Sequence, residues 1–448
     1  MSIHVQLCGL VFATVLVLAS NRVTAAPGDL DPSFGSGTGM VRDSVGTVGG
    51  QAHALVIDGS GRILVAGTAF TAVNDGAFGL LRLNANGSLD AGFGAGGRST
   101  YHATTDSEEE AYGLILQENG KPVVAGVSSR IGPFSDFAAL RLNEDGSVDT
   151  AFGNNGTGWM TSARAETDVG LALASASEGG FLLAGYVQAG SLVDAACLRL
   201  DSQGMPDSSF GTNGLVVAAA DSNSFRATTS QSDGKVVLGG QIDNMGGAIV
   251  QRLDVNGNPD PGFAGDGRAE LAGILDFVGD LRVLADGRIL VAGRRLADAT
   301  IVRLHADGSI DPTFGISGIL KVGAAALGQA TILLESVAID ASNRIVAVGN
   351  ASSTMGAQVF AMRATASGQL DAGFGSAGSR LIGAAGDLFA DAVAVQSDGA
   401  IVIAGSDRGA DSATADDQYL VMRLQGGPTL CDSIFASDFD SPDAQTCP

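Results

Sequence analysis

Short runs of apolar residues alternate with turn sequences along the chain. The clearest example places apolar residues 54–57 before the turn Asp58-Gly59 and a second apolar run at residues 63–66. An Asp-Gly turn between β-branched runs is a strong signal for a β-hairpin. Because residues 63–66 are apolar at every position, both faces of this second strand are expected to be covered.

A second strand-turn pair follows each hairpin. Residues 80–83 form an extended run, the turn passes through Gly87, and Leu89-Asp90 leads to Phe93. The turn glycine is expected to adopt a positive φ. In six units a further glycine stands four residues after the phenylalanine, as at Gly97 and Gly156, and introduces one more short extended run. Each unit is therefore predicted to hold four strands.

Three anchor residues keep the same order in seven successive units. The sequence Asp-x-x-Phe begins at Asp31, Asp90, Asp149, Asp207, Asp260, Asp311 and Asp371. A glycine ends the second apolar run at Gly67, Gly126, Gly185, Gly240, Gly293, Gly349 and Gly405. An arginine follows at Arg82, Arg141, Arg199, Arg252, Arg303, Arg363 and Arg423. Seven four-stranded units predict an all-β, seven-bladed β-propeller of antiparallel blades, whose stacking covers the second strands.

The repeated side chains are expected to be structural because they recur in every unit. The arginine and aspartate flank one turn, as Arg82 and Asp90 do, and are predicted to form an ion pair or to cap backbone amides there. Each phenylalanine from Phe34 to Phe374 is predicted to pack between blades.

The repeat R-L-N-x-x-G-x-L-D-x-x-F-G resembles the delta-60 repeat family of exported bacterial β-propellers, from Asp29 to Gln425. The resemblance implies a fold and no general activity. Small departures from the pattern occur at Thr38, Pro206, Pro259 and Ala264.

The two ends of the repeat region are complementary. Residues 28–31 match the back half of the strand-turn element, and residues 423–426 match its front half. A ring closed by pairing of N- and C-terminal strands is predicted, since closure removes exposed sheet edges. A solenoid, the structural alternative, would need capping units instead.

The regions outside the repeats indicate export. An apolar run from Leu7 to Ala19 precedes Val23-Thr24-Ala25, which predicts a cleaved signal peptide over residues 1–25, with an uncleaved anchor as the alternative. The propeller is then assigned to residues 26–426 and a tail to 427–448. The expected location is secreted or periplasmic in a bacterium, with attachment to the cell surface as an alternative. An oxidising compartment favours a disulfide between Cys431 and Cys447 in the tail, leaving Cys197 buried in a strand.

The formal charge of −23 argues against nucleic acid as a partner. Acidic residues gather just before the first strand of several units, and could form an acidic rim on one end of the ring: Glu108, Glu109, Glu110, Asp168, Asp280, Glu335 and Asp391. Carboxylates suit Ca²⁺. A solvated rim is favoured over a calcium site because no compact ligand spacing is present, so no cofactor is predicted.

The sequence contains no recognised catalytic motif, and His53, His102 and His305 are isolated from one another. We therefore predict a monomeric, non-catalytic recognition or scaffold module that binds a protein or cell-surface ligand. The alternative is an enzyme with its site in the central channel, such as a lyase, a hydrolase or a quinone-dependent sugar dehydrogenase. Unlike polar side chains converging in the channel would favour the enzyme, and seven equivalent small residues would favour the scaffold.

Overall fold

Seven four-stranded antiparallel sheets make up the fold, and they confirm the predicted seven-bladed, all-β propeller. The structure is a computed structural model that describes residues 25–427, except 73–74, 131–133, 154–155, 163, 219–221, 243–246, 355, 384–386 and 410–416. Short 3-10 helices within this part of the chain are Gly35–Gly37, Ser177–Gly179 and Ala325–Leu327.

Each of the first six blades uses four consecutive strands, ordered from the channel outwards. Blade 1 contains β2 (Gly50–Ile57), β3 (Ile63–Ala72), β4 (Asp75–Leu83) and β5 (Arg98–Tyr101). Blade 2 contains β6 (Ser107–Leu116), β7 (Pro122–Arg130), β8 (Ser135–Arg141) and β9 (Trp159–Thr161). Blade 3 contains β10 (Thr167–Ser175), β11 (Phe181–Ala189), β12 (Leu192–Leu200) and β13 (Leu215–Val217).

The next three blades repeat this order. Blade 4 contains β14 (Ser222–Ser230), β15 (Val236–Ile242), β16 (Gly247–Leu253) and β17 (Arg268–Glu270). Blade 5 contains β18 (Phe277–Val283), β19 (Ile289–Arg295), β20 (Asp298–Leu304) and β21 (Ile319–Val322). Blade 6 contains β22 (Thr331–Ile339), β23 (Ile345–Ser353), β24 (Gly356–Ala364) and β25 (Ser379–Ile382).

Blade 7 joins the two ends of the repeat region and confirms the predicted closure. It consists of β26 (Leu388–Val395), β27 (Ile401–Asp407), β28 (Gln418–Leu424) and the N-terminal strand β1 (Met40–Asp43). Strand β1 pairs with β28 from Met40 opposite Met422 to Asp43 opposite Tyr419. Strand β1 is therefore the outermost strand of blade 7.

The hydrophobic core lies between blades, in seven clusters of buried side chains. The second strand of each blade is apolar on both faces because both faces meet a neighbouring blade. In blade 1, residues Ile63, Leu64, Val65 and Ala66 are at most 5% exposed. The predicted two-sided burial of this strand is confirmed.

The repeated arginine joins three groups at each interface between blades. Arg303 donates from Nε to Asp311 Oδ2 at 2.7 Å, lies 4.7 Å from the centre of the Phe314 ring, and donates from Nη1 to the Ala366 carbonyl of the next blade at 2.6 Å. The arginine–aspartate pair forms in all seven units. The predicted ion pair and the packing of phenylalanine between blades are thus confirmed.

Two departures in the repeat are accounted for by short insertions. Gly39 and Gly158, rather than Thr38 and Gly156, take the place of Gly97, because their carbonyls accept from Arg423 and Arg141 as that of Gly97 does from Arg82. The assignment of this role to Gly156 was wrong, and the departure noted at Thr38 arises because Gly39 takes the position one residue later.

The two ends of the ring differ in character. Turns after the first and third strands of every blade lie at one end, the motif face, which contains the Arg–Asp–Phe elements. The second and fourth strands end at the other end of the ring, the variable face, and the sequences that follow them differ from blade to blade. Since the motif face is nearly the same in every blade, chemical individuality is expected at the variable face and in the channel.

Candidate channel site

A β-bulge interrupts the innermost strand of every blade. In β2 the register with β3 shifts between Ala52 and Ala54, so His53 is the extra residue. The same shift occurs at the equivalent position of the other six innermost strands. A bulge re-aims one side chain and leaves it out of the ladder. The extra residue of each blade lines the central cavity.

The glycine anchor of the repeat makes room for this bulge. A Cβ atom on Gly67 would lie 1.9 Å from the carbonyl oxygen of Gln51, which stands two residues before His53. At the other six anchor glycines the corresponding distance is between 1.8 and 2.2 Å. Only glycine fits against the bulged strand at such distances, so the anchor that was recognised in the sequence is a consequence of the bulge.

The seven bulged residues, called the bulge ring here, are all different. In blade order they are His53, Tyr112, Leu171, Arg226, Gly279, Glu335 and Asp391. Four neighbouring blades thus contribute an arc of titratable side chains, from Glu335 through Asp391 and His53 to Tyr112. Arg226 lies on the other side of the ring, between Leu171 and Gly279. The cavity that they line has a volume of about 510 Å³.

His53 is held by the blades on both sides of it. Its Nδ1 lies 3.1 Å from Oδ2 of Asp391, and its ring centre lies 5.1 Å from that of Tyr112 at an angle of 34°. An ionised carboxylate only accepts, so Nδ1 of the neutral imidazole carries the proton and Nε2 keeps its lone pair. Asp391 therefore prepares His53 to accept a proton at Nε2.

Tyr112 and Glu110 form a second polar pair beside this histidine. The Tyr112 hydroxyl donates to Glu110 Oε2 at 2.5 Å. Burial, and after it this hydrogen bond, raises the pKa of Tyr112. The phenol is therefore a neutral donor and acceptor near the channel at ordinary pH.

Glu335 has its carboxyl group in a site that disfavours negative charge. Burial and then the charge of Asp391 raise the pKa of Glu335 to about 7, against the opposing effects of Arg226, Asn350 and Arg294. Within the described residues Glu335 has no ion-pair partner within 4 Å. A carboxyl group with this pKa is present in both protonation states near neutrality and can donate a proton.

Arg226 is the cation of the bulge ring. Its guanidinium lies 4.9 Å from the centre of the Phe277 ring. No hydrogen bond or ion pair joins it to another residue in the part of the chain that the structure describes, whereas nearby Arg282 donates to Asp280 at 2.7 Å. Arg226 thus retains donors that suit a carboxylate or phosphate group of a ligand.

The acidic residues that were predicted to precede the first strands lie within them, in β6, β10, β18, β22 and β26, and they do not share one rim. Glu335, Asp391 and Asp280 line the channel. Glu109 and Asp168 occupy equivalent buried positions in blades 2 and 3, where they accept from Ser128 at 2.9 Å and from Ser162 at 2.8 Å. Burial raises the pKa of Asp168 to about 6 and that of Asp280 in the same direction.

A grouping of three or more histidine, cysteine, aspartate or glutamate side chains that could hold a metal ion is not found among the described residues. Glu108, at the start of the same acidic stretch as Glu110, is exposed on β6. The calcium hypothesis for the acidic residues therefore gains no geometric support and stays a hypothesis.

The other histidines and the cysteine in the described part of the chain lie outside the channel. His102 pairs with Glu109 at 3.0 Å, and His305 begins a motif-face turn as the asparagines do in other blades. Cys197 is buried in β12, as predicted. The proposed Cys431–Cys447 disulfide, the tail, and the signal peptide up to residue 24 lie outside the described residues. In the described part, no helix is long and apolar enough to cross a bilayer.

Sequence reasoning missed the bulge ring, although a signal for it exists. Each bulged residue stands fourteen residues before its anchor glycine, as His53 does before Gly67 and Asp391 before Gly405. The apolar run recognised in the sequence begins at residue 54, whereas β2 begins at Gly50 and contains His53. Aligning the units on the glycine anchor would have brought these seven unlike residues into one column.

Comparison with known proteins supports a propeller repeat family. Residues 59–93, 117–152, 231–263 and 284–314 match the family described as "Domain of unknown function (DUF5122) beta-propeller". The first of these segments spans β3, β4 and the motif through Phe93. The delta-60 assignment stays a resemblance, and no curated protein sequence matches the chain.

Several solved structures are similar to this chain at low sequence identity. A virginiamycin B lyase from Staphylococcus aureus has 8% identity and a TM-score of 0.48, covering 86% of this chain and 98% of its own. Sqt1 from Chaetomium thermophilum has 12% identity and a TM-score of 0.44, covering 87% and 91%. The PQQ-bound aldose sugar dehydrogenase from Streptomyces coelicolor has 13% identity and a TM-score of 0.40, covering 70% and 94%. These similarities concern the fold alone.

Proposed function

We propose that this exported propeller binds a small polar solute with an anionic group inside its central channel. The observation that supports this function best is the bulge ring. Seven structurally equivalent positions hold seven different residues, five of which are polar or charged. The protein-binding scaffold that the sequence favoured remains the competing hypothesis.

The contrast with the motif face supports a ligand-binding role for the bulge ring. At the contacts between blades that the Arg–Asp–Phe elements make, all seven blades supply the same side chains. The bulge forms beside the anchor glycine with any of seven different residues at the bulged position, so the bulge does not determine which residue stands there. Unlike side chains converging in one cavity are typical of a site that recognises an asymmetric small molecule.

The chemistry of the lining indicates what kind of solute fits. Arg226 offers unpaired guanidinium donors, and Gln51, Asn350 and Thr228 add neutral polar groups to the wall. Oγ1 of Thr228 is buried and has no hydrogen-bond partner among the described residues. A cavity of about 510 Å³ is in the size range of small-molecule sites. A hydroxyl-rich carboxylate would satisfy the arginine and the neutral groups together.

Binding can be tested with matched pairs of solutes. Isothermal titration calorimetry of the purified full chain would compare glucuronate with glucose, and galacturonate with galactose, because the members of each pair differ at the carboxylate. We expect one binding site for at least one acid and weaker binding of its neutral partner. Arg226→Gln should reduce binding of the acid about tenfold or more, since a hydrogen bond to a charged group is lost.

Leu171→Ala provides the control because Leu171 occupies the same ring position without a polar group. This variant should keep the preference for the acid. Binding that is equal in the wild type and in Arg226→Gln, or no binding of any acid, would contradict the channel site and favour a scaffold with its ligand on an outer surface.

A further inference from the structure

The arc from Glu335 to Tyr112 contains the groups needed for acid–base catalysis. We propose that the channel is the active site of a lyase that cleaves uronic acid-containing saccharides by β-elimination, with His53 as general base, Glu335 as general acid and Arg226 binding the carboxylate. This inference rests on the proposed binding function and names a substrate class for the same site.

The base is identified by its hydrogen bond. Asp391 accepts from Nδ1 of His53 at 3.1 Å, which leaves Nε2 as the proton acceptor. Nε2 makes no hydrogen bond to another described residue, and the side chain is 20% exposed in the channel wall. A base must reach the proton that it removes, and an imidazole with an unoccupied Nε2 facing a cavity can do so. Asp391 acts through His53 and is a positioning residue.

The substrate class follows from the cation opposite this base. Arg226 and the arc line different sides of one cavity, and the proposal requires that a ligand whose carboxylate binds Arg226 places its neighbouring carbon within reach of His53. Arg226 affects the pKa of both Tyr112 and Glu335, which places it within electrostatic reach of the arc. Neutralising a carboxylate makes the hydrogen on its α-carbon easier to remove, because the charge that develops on the carboxylate is stabilised.

The acid is next to the base in the ring. Glu335 belongs to blade 6, and Asp391 and His53 belong to blades 7 and 1. The groups that face Glu335 are Asp391 from β26, Arg226 from β14, Arg294 from β19 and Asn350 from β23. Because its protonated form persists near neutrality, this carboxyl group can protonate a leaving alkoxide.

The reaction balances without a co-reactant. His53 Nε2 takes the proton from C5 of the uronic acid unit, and the electron pair of that C–H bond forms the C4–C5 double bond. The C4–O4 bond breaks with its electron pair on oxygen, and O4 receives the proton of Glu335. The products are a sugar hydroxyl and an unsaturated uronate. Proton exchange with water returns both residues to their starting states.

The test uses the purified full chain with oligogalacturonate, alginate oligosaccharides and hyaluronan oligosaccharides as probes. Turnover is followed by the ultraviolet absorbance of the unsaturated uronate, and binding is measured separately by calorimetry. We expect product from at least one probe. His53→Gln and Glu335→Gln should each lower kcat about a hundredfold or more while the probe still binds, since general acid–base groups contribute about 10²- to 10⁴-fold.

Two further variants separate positioning and binding from chemistry. Asp391→Asn should lower kcat and move the His53 proton to Nε2, because the amide donates to Nδ1; nitrogen-15 NMR of the histidine reports this tautomer. Arg226→Gln should act mainly on KM. His102→Gln is the matched control, as His102 pairs with Glu109 at 3.0 Å outside the channel, and its kcat should equal that of the wild type.

The outcomes distinguish this proposal from the binding function. Probe binding that depends on Arg226, with no product or with product unaffected by His53→Gln, would overturn the lyase and leave the binding site standing. Absence of binding and of product with every probe would overturn the lyase, and the smaller acids used for the binding test then decide the binding function. Thermal unfolding of each variant shows whether it is folded. The lyase proposal requires that the folded His53→Gln and Glu335→Gln variants both lose turnover.

Discussion

Replacing Gly67 with alanine is expected to break the bulge that presents His53. The new Cβ would lie 1.9 Å from the Gln51 carbonyl oxygen and 2.7 Å from Cα of Ala52, both of which are backbone atoms. Ordinary contact begins near 3.4 Å, so the two strands must separate by about 1.5 Å or lose the bulge. Neither response can be absorbed by turning a side chain.

The magnitude follows from two effects. Overpacking in a well-packed region destabilises by about 1–3 kcal/mol, and one lost ladder hydrogen bond adds about 1 kcal/mol. The expected loss is about 2–4 kcal/mol. With an unfolding entropy of about 2.1 cal/mol/K per residue over about 400 residues, Tm falls by about 2–5 °C. The variant should also lose any ligand binding that depends on His53.

Gly59→Ala is the matched control in the same blade. A Cβ on Gly59 would have no atom within 4 Å. This variant should therefore leave the free energy of unfolding within about 0.5 kcal/mol of the wild type. Differential scanning calorimetry of both variants decides the matter: equal Tm values for Gly67→Ala and Gly59→Ala would refute the account of the anchor glycines.

Three more perturbations test other parts of the structure. Burial alone would raise the pKa of Asp311, but hydrogen bonds from Thr313 and the neighbouring arginines lower it. The pKa is also lowered overall at five equivalent aspartates: Asp31, Asp90, Asp149, Asp207 and Asp260. These carboxylates stabilise the fold above the unfolded pKa of about 3.9, so the denaturant midpoint should fall steeply below about pH 4, and an unchanged midpoint at pH 3 would be contrary evidence. In the wild type, the raised folded-state pKa of Glu335 should make stability decline between about pH 4.5 and 7. Glu335→Gln should remove this decline and raise the free energy of unfolding at pH 8 by about 1–3 kcal/mol. Equal pH profiles of stability in the variant and the wild type would argue against this. Deleting the chain through Phe34 removes the Asp31 partner of buried Arg423 and should destabilise the ring by about 3 kcal/mol or more, whereas a deletion ending at Ala25 should have little effect; equal thermal unfolding of the two would count against closure.

The fold could be predicted because every blade repeats its structural side chains. Three anchors in fixed order identify seven units, and the complementary ends indicate closure by β1 and β28. The pairing of Arg82 with Asp90 could also be predicted, since the two residues flank one turn. Insertions of one or two residues, as before Gly39 and Gly158, could not be located because the glycine-rich segments offer several candidate positions.

The channel site was less accessible to sequence reasoning. His53 and Asp391 are 338 residues apart in the chain, and only closure of the ring brings them to 3.1 Å. The bulge, which decides that His53 faces the channel, is a one-residue change of register that hydrophobic alternation does not reveal. Unlike polar side chains in the channel would favour a channel site, whereas seven equivalent small residues would favour a scaffold. The bulge ring contains unlike side chains.

The most direct test of the channel site is a crystal structure of the full chain soaked with an oligogalacturonate. We predict density in the central cavity, with a carboxylate bound by Arg226 and the adjacent carbon within reach of Nε2 of His53. A saccharide bound only on an outer surface, or a channel in which the seven bulged residues do not line the wall, would contradict this account of the protein.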